Sequence, residues 1–331
     1  MPERLGPRRP VRELQLTDSG PRLSAVGLCA DTGPRADLAR WKTIAEKARN
    51  AGVTLFDLSA LAPDKETYLR GFLGHGSPAS TVIVGRSVGR LLGQGIRLGD
   101  GPGRAGMEGW AELLRSSVIG LAPAAGAGPA LLVEWELTPD NPALDQGAQD
   151  GLQELAREGA IAGWGARGGY GSEGPGTETP MPQFVSRPVS LLEPLPPGVG
   201  SRGGPALFAR DPFAGGRLDG SRFESEVNPL AVGHPPTPVS SIREEFDPVL
   251  RLAPLTRPGE RTLAQAALRY VLDVAGAAAA LVSASDPKRL AEFLDFESTP
   301  VLSPEDIDFL GRLPRTTPPF LGPRGLSRPT L

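Results

Sequence analysis

The chain has 331 residues, a formal net charge of −3 and a pI near 5.6, so its overall charge favours neither nucleic acid nor an anionic membrane as a partner. A single cysteine, Cys29, excludes an internal disulfide framework and fits a reducing, cytoplasmic setting. The longest apolar run, Val274 to Val282, is mostly alanine and too short to span a bilayer, and the opening residues lack the apolar core of a secretory signal.

Strand-like and helix-like stretches alternate along the chain, the pattern of a parallel sheet with crossover helices. A short hairpin is expected from Val11 to Arg22. Ser24 to Cys29 then reads as a strand, and Arg35 to Ala51 as an amphipathic helix with Leu38, Trp41, Ala45 and Ala48 at helical spacing. Thr54 to Asp57 is a strand and Lys65 to Leu73 a short helix. Thr81 to Val84 is a strand, followed by a Gly-rich loop and a helix from Met107 to Val118. Ala130 to Trp135, a helix from Ala148 to Glu158, and a fifth strand from Ile161 to Gly165 complete the regular part.

Glycine and proline, 43 and 36 in number, then break the rhythm. Gly168 to Pro182 and Glu193 to Pro205 are dominated by them where outer helices five and six are due. Glycine and proline cost roughly 1 and 3 kcal/mol in a helix interior relative to alanine, so these helices are expected to be eroded to turns. Between them Val189 to Leu192 is read as strand six, and Ala206 to Ala209 as strand seven. A helix from Leu263 to Val274, an Ala-rich strand ending at Val282, and a helix opened by Ser285-Asp286-Pro287 follow. Ser303-Pro304-Glu305-Asp306 opens the last helix. The expected organisation is a cap segment over 1–21, a barrel over 22–313 and a Pro/Arg-rich tail over 314–331.

Several short motifs share an order and spacing with one family. Arg22-Leu23-Ser24-Ala25-Val26-Gly27-Leu28, Ala51-Gly52-Val53 with Phe56-Asp57, Ser87-Val88-Gly89-Arg90-Leu91-Leu92, Phe208-Ala209-Arg210-Asp211-Pro212-Phe213-Ala214-Gly215-Gly216 and Thr262-Leu263-Ala264-Gln265-Ala266-Ala267-Leu268-Arg269-Tyr270 each resemble a motif of the aldo-keto reductase superfamily. They sit nearest its aldose and pyridoxal dehydrogenase branch. The resemblance implies an α/β fold, a (β/α)8 TIM barrel with an N-terminal cap and a functional site at the C-terminal mouth.

The family reduces carbonyls with NADPH, using a tetrad of Asp, Tyr, Lys and His in which Tyr gives the proton. Mapped on the motifs, Asp57 remains. The Tyr of Phe-Asp-Thr-Ala-Pro-Leu-Tyr-Gly falls on Ala62, the Lys on Ser87 with Arg86 before it, and the His on Glu134. An alanine methyl delivers no proton, and a guanidinium does not give one up. Tyr68 lies on the following helix, facing away from the mouth. The cofactor positions are altered too. The nicotinamide-holding Ser-Asn falls near Arg167-Gly168, Asp211 precedes the Pro212-Phe213 turn where the pyrophosphate is held, and Ser283-Ala284-Ser285-Asp286 occupies the loop that grips the 2′-phosphate. Phe293 stands in place of an adenine-binding Asn.

The candidate catalytic residues are therefore Asp57, Glu134, Arg86 and Ser87, and the candidate cofactor residues Asp211, Phe213, Arg167, Ser283 and Ser285, with no metal pattern. The expected cofactor is none, or weakly held NADPH. Two readings of Asp57 stand side by side: a structural pair with Arg86, or an acid/base pair with Glu134. Cys29 reads as a small core residue or a nucleophile, and His75 and His234 as solvated loop residues. The functional expectation is a pseudoenzyme that has lost carbonyl reduction. It is then an auxiliary small-molecule-binding protein or a non-redox biosynthetic enzyme, the alternative being a divergent NADPH-dependent oxidoreductase of aldehydes, ketones or sugars. Its expected partner is a small organic molecule, and no protein partner is identified.

Overall fold

The computed structural model describes residues 12–16, 21–30, 38–59, 61, 63–74, 81–87, 130–136, 142–167, 181–195, 200, 204–222 and 246–313. Eight parallel strands close into a barrel in chain order: β3 (Val26–Cys29), β4 (Leu55–Asp57), β5 (Val82–Ser87), β6 (Ala130–Glu136), β7 (Gly163–Arg167), β8 (Phe184–Pro188), β9 (Ala206–Arg210) and β10 (Ala279–Val282), the last pairing back onto β3. The parallel strands agree with the alternating pattern, and their closure into a barrel is the (β/α)8 architecture that the resemblance implied. A two-stranded antiparallel hairpin, β1 (Glu13–Gln15) with β2 (Arg22–Ser24), precedes it.

Outer helices that can be placed are α1 (Leu38–Asn50), α2 (Pro63–Gly74), α3 (Pro142–Arg157), α4 (Leu263–Arg269), α5 (Pro287–Leu294) and α6 (Pro304–Arg312). Their apolar faces carry the packing. Trp41, Ile44, Ala45 and Ala48 bury one stripe of α1, with the Trp41 indole edge-on to Phe56 and its Nε1 donating to the carbonyl of Cys29 at 3.1 Å. Trp164 on β7 donates likewise to Gln153 of α3 at 3.0 Å. Such pairs let large aromatics be buried without stranding their polar atom. Asp286 caps α5, and Ser303 caps α6 in a reciprocal box with Asp306.

Because strand side chains alternate, every second residue faces the barrel axis. At the lower end this interior is apolar: Leu55, Val82, Val84, Leu132, Phe184, Phe208, Ala279 and Leu281 form one cluster, plugged from below by Leu23 of the hairpin. Phe184 and Phe208 stack at 4.4 Å. They fit because Gly165 has no side chain: a Cβ there would lie 2.3 Å from the Phe184 ring. Ser24 clasps the hairpin to the barrel, its Oγ accepting from the Thr54 and Leu55 amides and donating to the Val26 carbonyl.

Three sequence readings need correction. The sixth barrel strand is Phe184–Pro188 and not Val189 to Leu192. Phe184-Val185-Ser186 alternates inward, outward, inward, whereas Val189 to Leu192 forms the bend after the strand, where Ser190 accepts the Leu192 and Glu193 amides. The fifth strand lies two residues later than expected, at Gly163–Arg167. The helix from Leu263 relaxes to a π turn at Tyr270–Val274. The helix expected at Met107 to Val118, residues 168–180 and the 314–331 tail lie outside the described residues.

Candidate functional site

Two residues further along the same inward-facing rows, the barrel interior changes from apolar to charged. Cys29 on β3, Asp57 on β4, Glu134 on β6, Arg167 on β7, Ser186 on β8 and Arg210 on β9 all follow the interior phase of their strands. They form a polar layer at the C-terminal mouth, where such barrels carry their sites. Ser59, just past β4, joins it.

Arg210 holds the layer together. Its Nη1 donates to Asp57 Oδ2 at 2.5 Å, its Nη2 to Glu134 Oε1 at 2.8 Å and to Ser59 Oγ at 3.2 Å, and its Nε to Ser186 Oγ at 3.0 Å and Glu134 Oε1 at 3.2 Å. Ser186 in turn donates a short hydrogen bond to Glu134 Oε1. Asp57 Oδ1 accepts the Ser59 amide at 2.9 Å, and the Cys29 thiol lies 3.4 Å from Oδ2. Asp57 and Glu134 are almost fully buried, and Arg210 keeps 10% side-chain exposure. The planar fork of a guanidinium suits this role, since it can serve two carboxylates at once.

The electrostatics follow from that geometry. Burial pushes the Asp57 carboxyl up, but the Arg210 charge and the Ser59 hydrogen bonds outweigh it, leaving Asp57 below the usual carboxylate range and ionised. Burial lowers the hold of Arg210 on its proton, and Asp57 and Glu134 more than restore it. The Cys29 thiol is pushed well up, first by burial and then by the neighbouring Asp57 charge, which leaves it a poor nucleophile at neutral pH. Among the described residues no cluster of His, Cys, Asp and Glu could hold a metal ion.

The structure thus places Asp57 and Glu134 together at the mouth, but as the two anionic arms of one ionic lattice. Among the described residues the cation paired with Asp57 is Arg210. Ser87 pairs its backbone with Glu134 across a bulge in β5, and the side chains of Arg86 and Ser87 lie outside the described residues, as do Ala62, His75 and His234. Tyr68 stands half-exposed on the outside of α2, its hydroxyl bonded by Lys42 at 2.7 Å. Arg167 joins the lattice from the rim, its Nη1 3.5 Å from Glu134 Oε2.

The remaining cofactor candidates do different work. Phe213 is buried with its ring 4.4 Å from that of Phe293, so both belong to the packing between the β9 loop and α5. Asp211 adopts a positive φ of 51° and accepts the Gly215 amide at 2.7 Å, closing its own turn with its carboxylate. Asp286 accepts the Lys288 and Arg289 amides at 2.8 and 3.0 Å, and Ser285 donates to it. Those amides are the donors with which a helix start binds a phosphate. Ser283 is exposed just past β10. Among the described residues of both loops, amides that could meet an anion, that of Gly215 and those of Lys288 and Arg289, are bonded to an internal carboxylate instead.

Sequence reading missed Arg210, Ser59 and Ser186. Arg210 was visible as the lone charge ending the apolar run Ala206-Leu207-Phe208-Ala209, in phase with the inward Phe208. Ser186 was hidden by the misplaced sixth strand.

Among solved structures, the chain is similar to the aldo-keto reductase AKR11C1 from Bacillus halodurans. Against its holo form the identity is 16% and the TM-score 0.60, and against its apo form 17% and 0.57. In both, the match covers 91% of this chain and 95% of the other. At this identity the likeness is one of fold. No protein-family model matches the chain, and no curated protein matches it by sequence.

Proposed function

We propose that this chain is an aldo-keto-reductase-like barrel that no longer reduces carbonyls with NADPH and instead binds a small organic molecule at its mouth. The observation that carries this reading is the position of Arg210, whose guanidinium occupies the interior between Asp57 and Glu134 and bonds both. A general acid needs a proton to give near the working pH. Asp57 is ionised and locked to Arg210, and Ala62 has none to offer.

The same lattice weighs against a non-redox acid/base pair, because both carboxylates already spend their inner oxygens on Arg210. The loops at Asp211 and Asp286 weigh against NADPH, since a cofactor phosphate would meet a carboxylate in each place. Arg167, by contrast, keeps 28% side-chain exposure at the rim and offers a polar handle to a ligand. The unpaired Cys29 supports a cytoplasmic setting, and among the described residues no helix is long and apolar enough to cross a membrane.

Fluorescence titration with NADPH tests the reading. The expected result is no saturable binding at micromolar cofactor and no carbonyl-dependent oxidation. A micromolar or tighter dissociation constant would overturn it and restore a divergent reductase.

A further inference from the structure

We infer that the rim of the mouth between Glu134 and Arg167 is a site for the zwitterionic head of a free α-amino acid, its carboxylate on Arg167 and its ammonium on Glu134 Oε2. This deepens the binding reading above and rests on it.

The two oxygens of Glu134 are treated very differently. Oε1 accepts from Ser186 and twice from Arg210. Oε2 is buried, yet among the described residues it accepts no hydrogen bond. A buried carboxylate oxygen without a donor is unfavourable, and native structures seldom leave one. Its nearest cation is Arg167 Nη1 at 3.5 Å, beyond the roughly 2.7–2.9 Å of a charge-assisted hydrogen bond.

Arg167 is held to the layer, among the described residues, by this long ion pair alone. Its guanidinium makes no hydrogen bond among the described residues and is partly exposed, so it can turn outward without breaking a directed contact. Glu134 pairs with Gly165 in the register of β6 and β7, and Arg167 lies two residues further on the same inward row. Oε2 therefore lies toward the rim, beneath the Arg167 guanidinium. Oε1 faces inward, to Arg210.

Charge selects the ligand. Asp57, Glu134, Arg167 and Arg210 sum to zero. A plain carboxylate would draw Arg167 away and leave Glu134 with a naked oxygen, and a plain amine would take Glu134 and leave Arg167 unpaired. An α-hydroxy acid would supply a donor but add a net negative charge beside two buried carboxylates. A zwitterion exchanges one ion pair for two and keeps the layer neutral. Arg210, with its donors already directed to Asp57, Ser59, Ser186 and Glu134, stays in place.

Isothermal titration of the full chain with each of the twenty common L-α-amino acids tests this, each binder being compared with its deaminated acid, its α-hydroxy analogue and its decarboxylated amine. The expected result is millimolar or tighter binding by at least one amino acid, weakened at least tenfold by loss of either head group. The same loss is expected in R167Q and in E134Q; if E134Q does not fold, R167Q carries the comparison. A binder that tolerates loss of its amine, or prefers a hydroxyl there, would overturn the inference. So would failure of all twenty, and a fragment screen then separates the two levels. Neutral or anionic fragments displaced by mouth mutations leave the binding reading standing, whereas no binding at all, or tight NADPH binding, removes that reading as well.

Discussion

Arg210 Nη1 and Asp57 Oδ2 lie 2.5 Å apart although their strands are not neighbours in the barrel. Going round the closed sheet, β9 stands three places from β4 in one direction and three from β6, which carries Glu134, in the other. A long side chain from that position reaches across the axis to both. The ion pairs therefore span the barrel, and the mouth is braced at its centre.

Removing the brace should be expensive. Arg210→Ala leaves the buried Asp57 without its cation and Glu134 with only the longer Arg167 contact, and breaking a buried ion pair in this way typically costs about 3–5 kcal/mol. Urea unfolding at neutral pH should show a loss of that order, with Arg210→Lys losing less because one of the two carboxylates keeps a cation. A change below about 1 kcal/mol for Arg210→Ala would mean the lattice is solvated and weak.

Acid should undo the same contact. Asp57 has a folded pKa below its unfolded value, so it adds stability that is present above the unfolded value of about 3.9 and is lost as pH falls through the folded one. Asp57→Asn should therefore be clearly less stable than the parent at pH 7. The gap should shrink progressively below about pH 4, where the parent's own carboxyl takes up a proton. Denaturation midpoints measured from pH 2 to 7 check this, and a gap independent of pH would remove the electrostatic account.

Asp211 has the opposite sign. Burial raises its carboxyl above the usual range despite the Gly215 hydrogen bond, so the folded state holds the proton more tightly than the unfolded chain does. Its stabilising contribution is complete below the unfolded pKa and declines as pH rises through the folded one. Asn keeps an oxygen for the Gly215 amide and tolerates the left-handed backbone at φ 51°. Asp211→Asn should raise the melting temperature at pH 7 and match the parent near pH 4. A lower melting temperature at pH 7 would show that the charge itself is needed by the turn.

Restoring the missing tetrad groups should not restore reduction. With Ala62→Tyr and Ser87→Lys combined, a proton donor and its lysine would be present, yet Arg210 would still fill the mouth and the Asp211 and Asp286 carboxylates would still hold the loop amides. NADPH consumption with a generic aldehyde should stay at the uncatalysed rate. Measurable turnover would show that the dinucleotide site is intact.

Much of the fold was legible from local pattern. The alternating strands, the stripe Trp41, Ala45, Ala48 of α1 and the Asp286 and Ser303 caps all depend on contacts within a few residues, where propensity and periodicity act. The sixth strand was not. Val189 to Leu192 is the more apolar stretch, but Phe184 is the residue that fills the space left by Gly165 and stacks on Phe208. That choice is made by interior packing, not by propensity.

For the site, the sequence by itself determined which side chains stand at the motif positions: Ala62 carries no phenol and Ser87 no amine. It also determined that Asp57 and Glu134 end inward rows of their strands. Only closure of the barrel decided that Arg210 lies between them, because the three residues are brought together by a register summed around eight strands. The physical reason is range: period-two alternation tells which way a side chain points, while the partner it meets across the axis depends on every strand in the ring.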